Sequence, residues 1–320
     1  MPLVGMDQGL AALQGGDSSG HSAAVMRKAH SAAYRIVGAG EINGDGSLGA
    51  AGHGRNHTAA CDARVRVLST NHETACHAPA LGTPGFVNRI QDEQAIVLHT
   101  RAYRESSLIA QFLTASHGRI AAVARGARRV GRNRGGTSLQ PFYQGLLSCS
   151  GRGALVTLNR FDLAEARWLT GNRVASAYYM AELVVRLTRE WESAPRLFGG
   201  VEWALGELAE VEGNEGIESC LRQFEKLLLE ELGYGLDFSR DAATGEGIDE
   251  AAWYGVSPEA GFIAGPDGEG YPGVALKAIA AGCFDEAETR RFAKQIFRAL
   301  LADHLGPAPL MSRRLYRRGI

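Results

Sequence analysis

From Gln94 onward the chain sets apolar against polar positions in short runs. Ala95, Ile96, Val97 and Leu98 lead into a polar turn at Arg101 to Ser106, and Ile120, Ala122 and Ala124 share one face against Ala121 and Val123 on the other. Successive side chains of a strand point to opposite faces, so this period predicts strands at 94–103, 107–115, 119–125, 141–149 and 153–160. RESS, SHGR, an arginine-rich loop and SGRG separate them. Five short strands within about 70 residues suggest a small closed or nearly closed barrel, and the pattern alone leaves both an OB-fold and an SH3-like barrel open.

After Leu163 the period lengthens. Val174, Ala177, Tyr178, Ala181, Val184 and Val185 recur at helical spacing. Val201, Leu205 and Leu208 mark a second helix, and Ile217, Leu221, Phe224, Leu228 and Leu232 a third. Gly233 is a natural stop for the third, because the residue past a helix end commonly needs a positive φ. A last helix runs over about 286–305, closed by Gly306 and Pro307, and the tail SRRLYRRGI is basic enough to return towards the barrel or a ligand. Residues 234–273, rich in glycine and aspartate, read as an irregular insert. Residues 1–85 carry Gly, Ala, Ser and His without a sustained period, and read as a disordered extension or as sequence ahead of a mis-assigned start.

Charge sharpens this division. The net charge of the chain is -1, yet residues 86–180 hold thirteen arginines against five acids, while residues 181–304 hold eleven basic residues against twenty-four acids. Local field rather than the sum steers a charged ligand, so the barrel region invites a polyanion. The five cysteines are scattered, with no C-x-x-C pair, and read as thiols of a reducing cytoplasm. No stretch approaches the roughly 18 apolar residues of a membrane span.

Reaction chemistry finds little footing. None of Lys28, Lys226, Lys277 and Lys294 follows a glycine, which excludes a Walker-type phosphate loop. Gly38 and Gly40 lack the third glycine and the strand-to-helix context of a dinucleotide site, and no G-x-S-x-G occurs. His53, His57, Cys61, His72, Cys76 and His77 cluster in the extension without the paired spacings of a zinc site, so no metal is expected there. In the folded part only His99, His117 and His304 remain as potential general bases, and His117, in a turn beside Gly118, has no visible partner. The chain reads as a set of binding surfaces, not as an enzyme, with no cofactor.

The affirmative signal is the stretch from Gly118 to Gly145. Arg125, Arg128, Arg129, Arg132 and Arg134 fall in it with no acid among them. Arginine pairs with phosphate through charge-assisted, often bidentate hydrogen bonds, and aromatic residues can stack bases. Phe142, Tyr143, Tyr103 and Phe161 are available, although strand aromatics such as Phe142 more often pack inward. A nucleic-acid-binding barrel follows, and an RNA-binding OB protein of translation or RNA processing is as compatible with the loop as a DNA-binding one. A nuclease would need a carboxylate cluster beside Arg125.

Five stretches carry a more specific resemblance. AIVLHTRAYRESSLIAQFLTASHGRIAAVARGARR, SLQPFYQGLLSCSGRGALVTL, LRQFEKLLLEELGYGLDF, GFIAG and HLGPAPLMSRRLY together resemble the bacterial RecO family of recombination-mediator DNA repair proteins, over nearly all of 92–317. The resemblance implies an α+β chain: a five-stranded OB-fold barrel at 86–165, then an all-α helical domain at 166–320 that carries the insert. It implies binding of single- and double-stranded DNA, annealing of complementary strands, and help in loading RecA onto strands coated by single-stranded DNA-binding protein, with RecR as a partner. Arg119, Arg125 and Arg128 match basic positions on the DNA-facing side of the barrel, and Arg129, Arg132 and Arg134 extend them. Arg222 matches a position that helps receive the acidic, phenylalanine-ended tail of the single-stranded DNA-binding protein, and a cation beside Leu221 and Phe224 suits such a peptide. Two departures stand out. Asp241 occupies the place of the first cysteine of a zinc module that many members carry, so no zinc is expected, and Met311 replaces an expected lysine.

Overall fold

The computed structural model describes residues 89–128, 139–257 and 260–317. The expected extension and its histidine and cysteine cluster lie outside the described residues.

Five strands close into a barrel. They are β1 (Ile90–Tyr103), β2 (Ser107–Thr114), β3 (Gly118–Ala124), β4 (Gln144–Ser150) and β5 (Leu155–Glu165), in the order β1-β2-β3-β5-β4. All neighbours are antiparallel except β3 and β5, which run parallel. β1 closes the ring by pairing with β2 along one edge and with β4 along the other, bending at irregularities in register near Asp92 and Leu98. Ala95, Val97, Phe112, Ile120, Ala122, Leu147, Val156 and Phe161 fill its interior.

The unbroken apolar run Ala95–Leu98 follows from this closure. Ala95 and Val97 face the barrel interior, whereas Ile96 and Leu98, with Leu113 and Phe142, belong to the core of the helices that follow. A strand buried on both faces carries no polar alternation. Phe142 adopts a left-handed backbone, donates its N–H to Val97 O at 2.7 Å, and meets Tyr178 edge to face at 4.9 Å. Its ring therefore joins the barrel to the helices.

The helices are α1 (Asn172–Leu187), α2 (Pro195–Glu210), α3 (Gly213–Glu231), α4 (Gly273–Ala280), α5 (Ala287–Leu305) and α6 (Arg313–Arg317). α3 ends as expected: Gly233 has φ 77, its N–H bonds Glu230 O, and the Tyr234 N–H bonds Leu229 O. The basic tail returns to α1 rather than to the barrel. Glu182 of α1 accepts bonds from the N–H groups of Met311 and Ser312 and from the Ser312 hydroxyl. Of the cysteines, Cys149 and Cys220 are free, and burial pushes their thiols up to about 11 and about 12. Cys283 is disulfide-bonded, so the expectation of thiols holds for the other two alone among the described residues.

The insert at 234–273 is more ordered than its composition suggests. It holds β6 (Trp253–Ser257), β7 (Gly261–Gly265) and β8 (Tyr271–Pro272) in a three-stranded sheet ordered β7-β6-β8. Strands this short offer few alternating positions to read. Phe262 is fully buried and packs on Phe238, which in turn meets Phe297 of α5. Asp241 pins the turn that follows it: one carboxylate oxygen accepts the N–H of Ala243 and Thr244, and the other accepts that of Ala264 in β7.

Those bonds, led by the one from Ala243, hold the Asp241 carboxyl below its ordinary range. A group with a depressed folded-state pKa contributes stability above its unfolded value, near 4, and loses it as pH falls through the folded value. Asp241→Asn is therefore expected to melt below wild type at pH 7, with the gap closing as pH falls below about 4. Thermal melts across pH 7 to 3 check this, and a gap independent of pH would leave the charge without a role.

Candidate nucleic-acid interface and peptide pocket

β3 delivers the arginines to one rim of the barrel. Arg125 and Arg128 lie in the turn that follows Ala124, and both are exposed. No ion pair holds Arg125 among the described residues. Arg128 secures the facing β1–β2 turn: its N–H bonds Ser106 O at 3.0 Å, and its Nη1 reaches Arg104 O at 3.4 Å. Arg129, Arg132 and Arg134 lie outside the described residues. Arg104 and Arg152, in the β1–β2 and β4–β5 turns, are also exposed. Those two loops are where five-stranded barrels of this topology take oligonucleotides, so the topology is the signal that a search for arginine clusters misses.

Arg119 does not join this set. Its side chain is 11% exposed, and its guanidinium bonds Gln111, the Thr188 carbonyl and Glu190, with 3.0 Å to the Glu190 carboxylate. Its own carbonyl accepts the Trp191 N–H. These bonds tie β3 to the segment between α1 and α2, which passes so close that a Cβ on Gly118 would collide with the Glu192 carbonyl. The expectation that Arg119 meets DNA is corrected on this ground, because a buried guanidinium already paired with a carboxylate has little left for phosphate. Of the aromatic candidates, Phe142 and Phe161 are core, and Tyr103 and Tyr143 are half-buried. Among the described residues, one carboxylate, Glu105, lines the cleft beside Arg125. His117 sits in the β2–β3 turn, 3.6 Å from Glu93.

A second site forms on the helices. A pocket of about 500 Å³ opens between α1, α3, α5 and α6, with Ile217 and Leu221 as its apolar side and Arg222, Lys294, Arg298 and Arg313 as its cations. Arg222 is 5% exposed, and its Nη2 lies 2.8 Å from Glu225 Oε1, which also accepts the Tyr179 hydroxyl at 2.6 Å. Burial pushes the fully buried Glu225 carboxyl upward, against the pull of Arg222 and Tyr179. Nε and Nη1 of Arg222 have no hydrogen-bond partner among the described residues. Glu218 and Glu225 also line the pocket, and Lys294 lies 3.5 Å from Glu218, so Arg222 with its unused donors, together with Arg298 and Arg313, offers charge-assisted bonds beside an apolar side.

Phe224 is corrected here. It is 1% exposed in the helical core and is not among the residues lining the pocket, since α3 is packed by both α2 and α5. Lys294, Arg298 and Arg313 are the residues that sequence reading missed. They reach the pocket from α5 and α6, at least 72 residues from Arg222 in the chain. The basic tail was a local sign for Arg313 alone, and Lys294 and Arg298 had none.

Comparison with known proteins bears on both sites. Residues 89–167 match the family model described as Recombination protein O N terminal, and residues 169–314 match Recombination protein O C terminal. A Methylococcus capsulatus protein named DNA repair protein RecO is 38% identical over 242 residues, which is 75% of this chain and 97% of that protein. Proteins of the same name from Cellvibrio japonicus and Vibrio vulnificus are 38% and 39% identical, covering 72% and 70% of the chain and 98% and 92% of the relatives.

Proposed function

Because the chain belongs to the RecO family of DNA repair proteins, we propose that it is a non-enzymatic recombination mediator, which holds DNA on the barrel and a protein tail on the helices. The observation that carries this reading is the rim on which Arg125 and Arg128 stand exposed beside the β1–β2 turn. Each arginine that neutralises a phosphate releases counterions, so single and double strands both bind, without sequence preference. Holding two complementary strands on such a surface screens their mutual repulsion and favours annealing.

The helical pocket supports the second half. The tail of single-stranded DNA-binding protein, acidic and ended by phenylalanine, supplies a carboxylate for Arg222, acids for the ring of cations, and an aromatic group for Ile217 and Leu221. Docking there brings the mediator to coated strands, where it helps load RecA together with RecR. The setting is the bacterial cytoplasm, around the nucleoid, and no helix among the described residues is long and apolar enough to cross a membrane.

A strand-annealing assay on complementary oligonucleotides coated with single-stranded DNA-binding protein tests the reading. Faster annealing than without the protein is expected. No acceleration, combined with tighter binding to structured RNA, would favour an RNA-binding barrel instead.

A further inference from the structure

A cleft of about 750 Å³ on the barrel lies between the β1–β2 turn, the end of β3 and the start of β5. Tyr103, Arg104, Ser106, Arg125, Leu155 and Thr157 line it. Leu155 is 42% exposed, and Val156 beside it is buried. The Arg104 guanidinium lies over the Tyr103 ring, 5.1 Å from its centre. Arg104 also has φ 52, a left-handed conformation uncommon outside glycine, and the two bonds from Arg128 keep the turn in that shape. An aromatic ring, an exposed apolar side chain and hydroxyls thus line the same cleft as two cations.

We propose that this cleft captures one unstacked base of single-stranded DNA, with Tyr103 and Leu155 against the face of the base and Arg104 and Arg125 on the flanking phosphates. The inference rests on the reading of the barrel as DNA-binding, and adds to it a preference for single strands. A duplex keeps its bases stacked and offers this rim phosphates alone, whereas a single strand also offers a free aromatic face. Stacking tolerates any base, as a mediator of general repair requires. Glu105, the one carboxylate lining the cleft, offers an acceptor to an exocyclic amino group and not to a phosphate. Besides its place on the rim, Arg128 holds the turn that presents Tyr103.

The test measures dissociation constants at fixed salt for a single-stranded oligonucleotide, its duplex and an abasic strand of equal length. Tyr103→Leu is expected to weaken single-strand binding about fivefold or more, and duplex binding less than about twofold, while Tyr103→Trp keeps the preference. Wild type is expected to bind the single strand at least about fivefold more tightly than the abasic strand, a readout that survives should Tyr103→Leu fail to fold. Equal affinity for those two strands, or equal losses on single strand and duplex, would overturn the base-capture site while leaving the arginine rim intact. Failure of wild type to bind any of the three would instead overturn the DNA-binding reading itself.

Discussion

Glu225→Ala is expected to destabilise the protein by about 3 to 5 kcal/mol, because it leaves the Arg222 guanidinium buried without its anion. The pair is enclosed, with Glu225 at 0% and Arg222 at 5% exposure, so solvent screening does little to soften the loss. Arg222→Ala reaches a similar state from the other side, leaving a carboxylate whose pKa burial already raises. Without Arg222 the folded-state pKa of Glu225 rises further above the unfolded value, so the variant keeps its stability below about 4.5 and loses it as pH climbs through the raised folded value. Urea denaturation of Arg222→Ala at about pH 4.5 and pH 7 is expected to show the larger deficit at pH 7. Titration with an acidic peptide ended by phenylalanine separates structure from recognition: Arg298→Ala, at the pocket wall, should weaken the peptide with little change in stability. Peptide binding unaffected by Arg298→Ala and Arg313→Ala together would mean that the tail docks elsewhere.

The second large effect is expected at the arginine rim. Replacing Arg125, Arg128 and Arg129 with alanine should weaken DNA binding nearly uniformly across sequences, and lower the slope of log affinity against log salt by roughly 0.7 to 0.9 for each phosphate no longer neutralised. With three phosphates freed, affinity at low salt falls by more than about tenfold, which a fluorescence anisotropy titration at several salt concentrations resolves. Arg119→Ala is the informative contrast. Its bonds to Glu190 and Thr188 hold the barrel against the helical segment, so its removal should lower the melting temperature while leaving the salt slope unchanged. An unchanged slope in the triple variant would show that the rim does not touch DNA.

The apolar pattern of the chain was enough to read the five strands, the three helices from Asn172 to Glu231 and the long helix before Gly306, because most of them bury one face and repeat at 2 or 3.6 residues, while the doubly buried part of β1 shows as an unbroken apolar run. It also carried the contrast between a basic barrel and acidic helices. Where an element was too short to repeat, as in β6, β7 and β8, nothing local distinguished strand from loop. The long-range partners were equally hidden. That Arg119 is spent on Glu190, that Phe224 turns into the core, and that Arg298 and Arg313 come round to face Arg222 are consequences of how distant elements pack. Residue type and spacing determined by themselves which segments fold and which charges they carry. Only the tertiary structure decided which of those charges remain free to bind, because a guanidinium is available to a ligand only after the fold has chosen its internal partners.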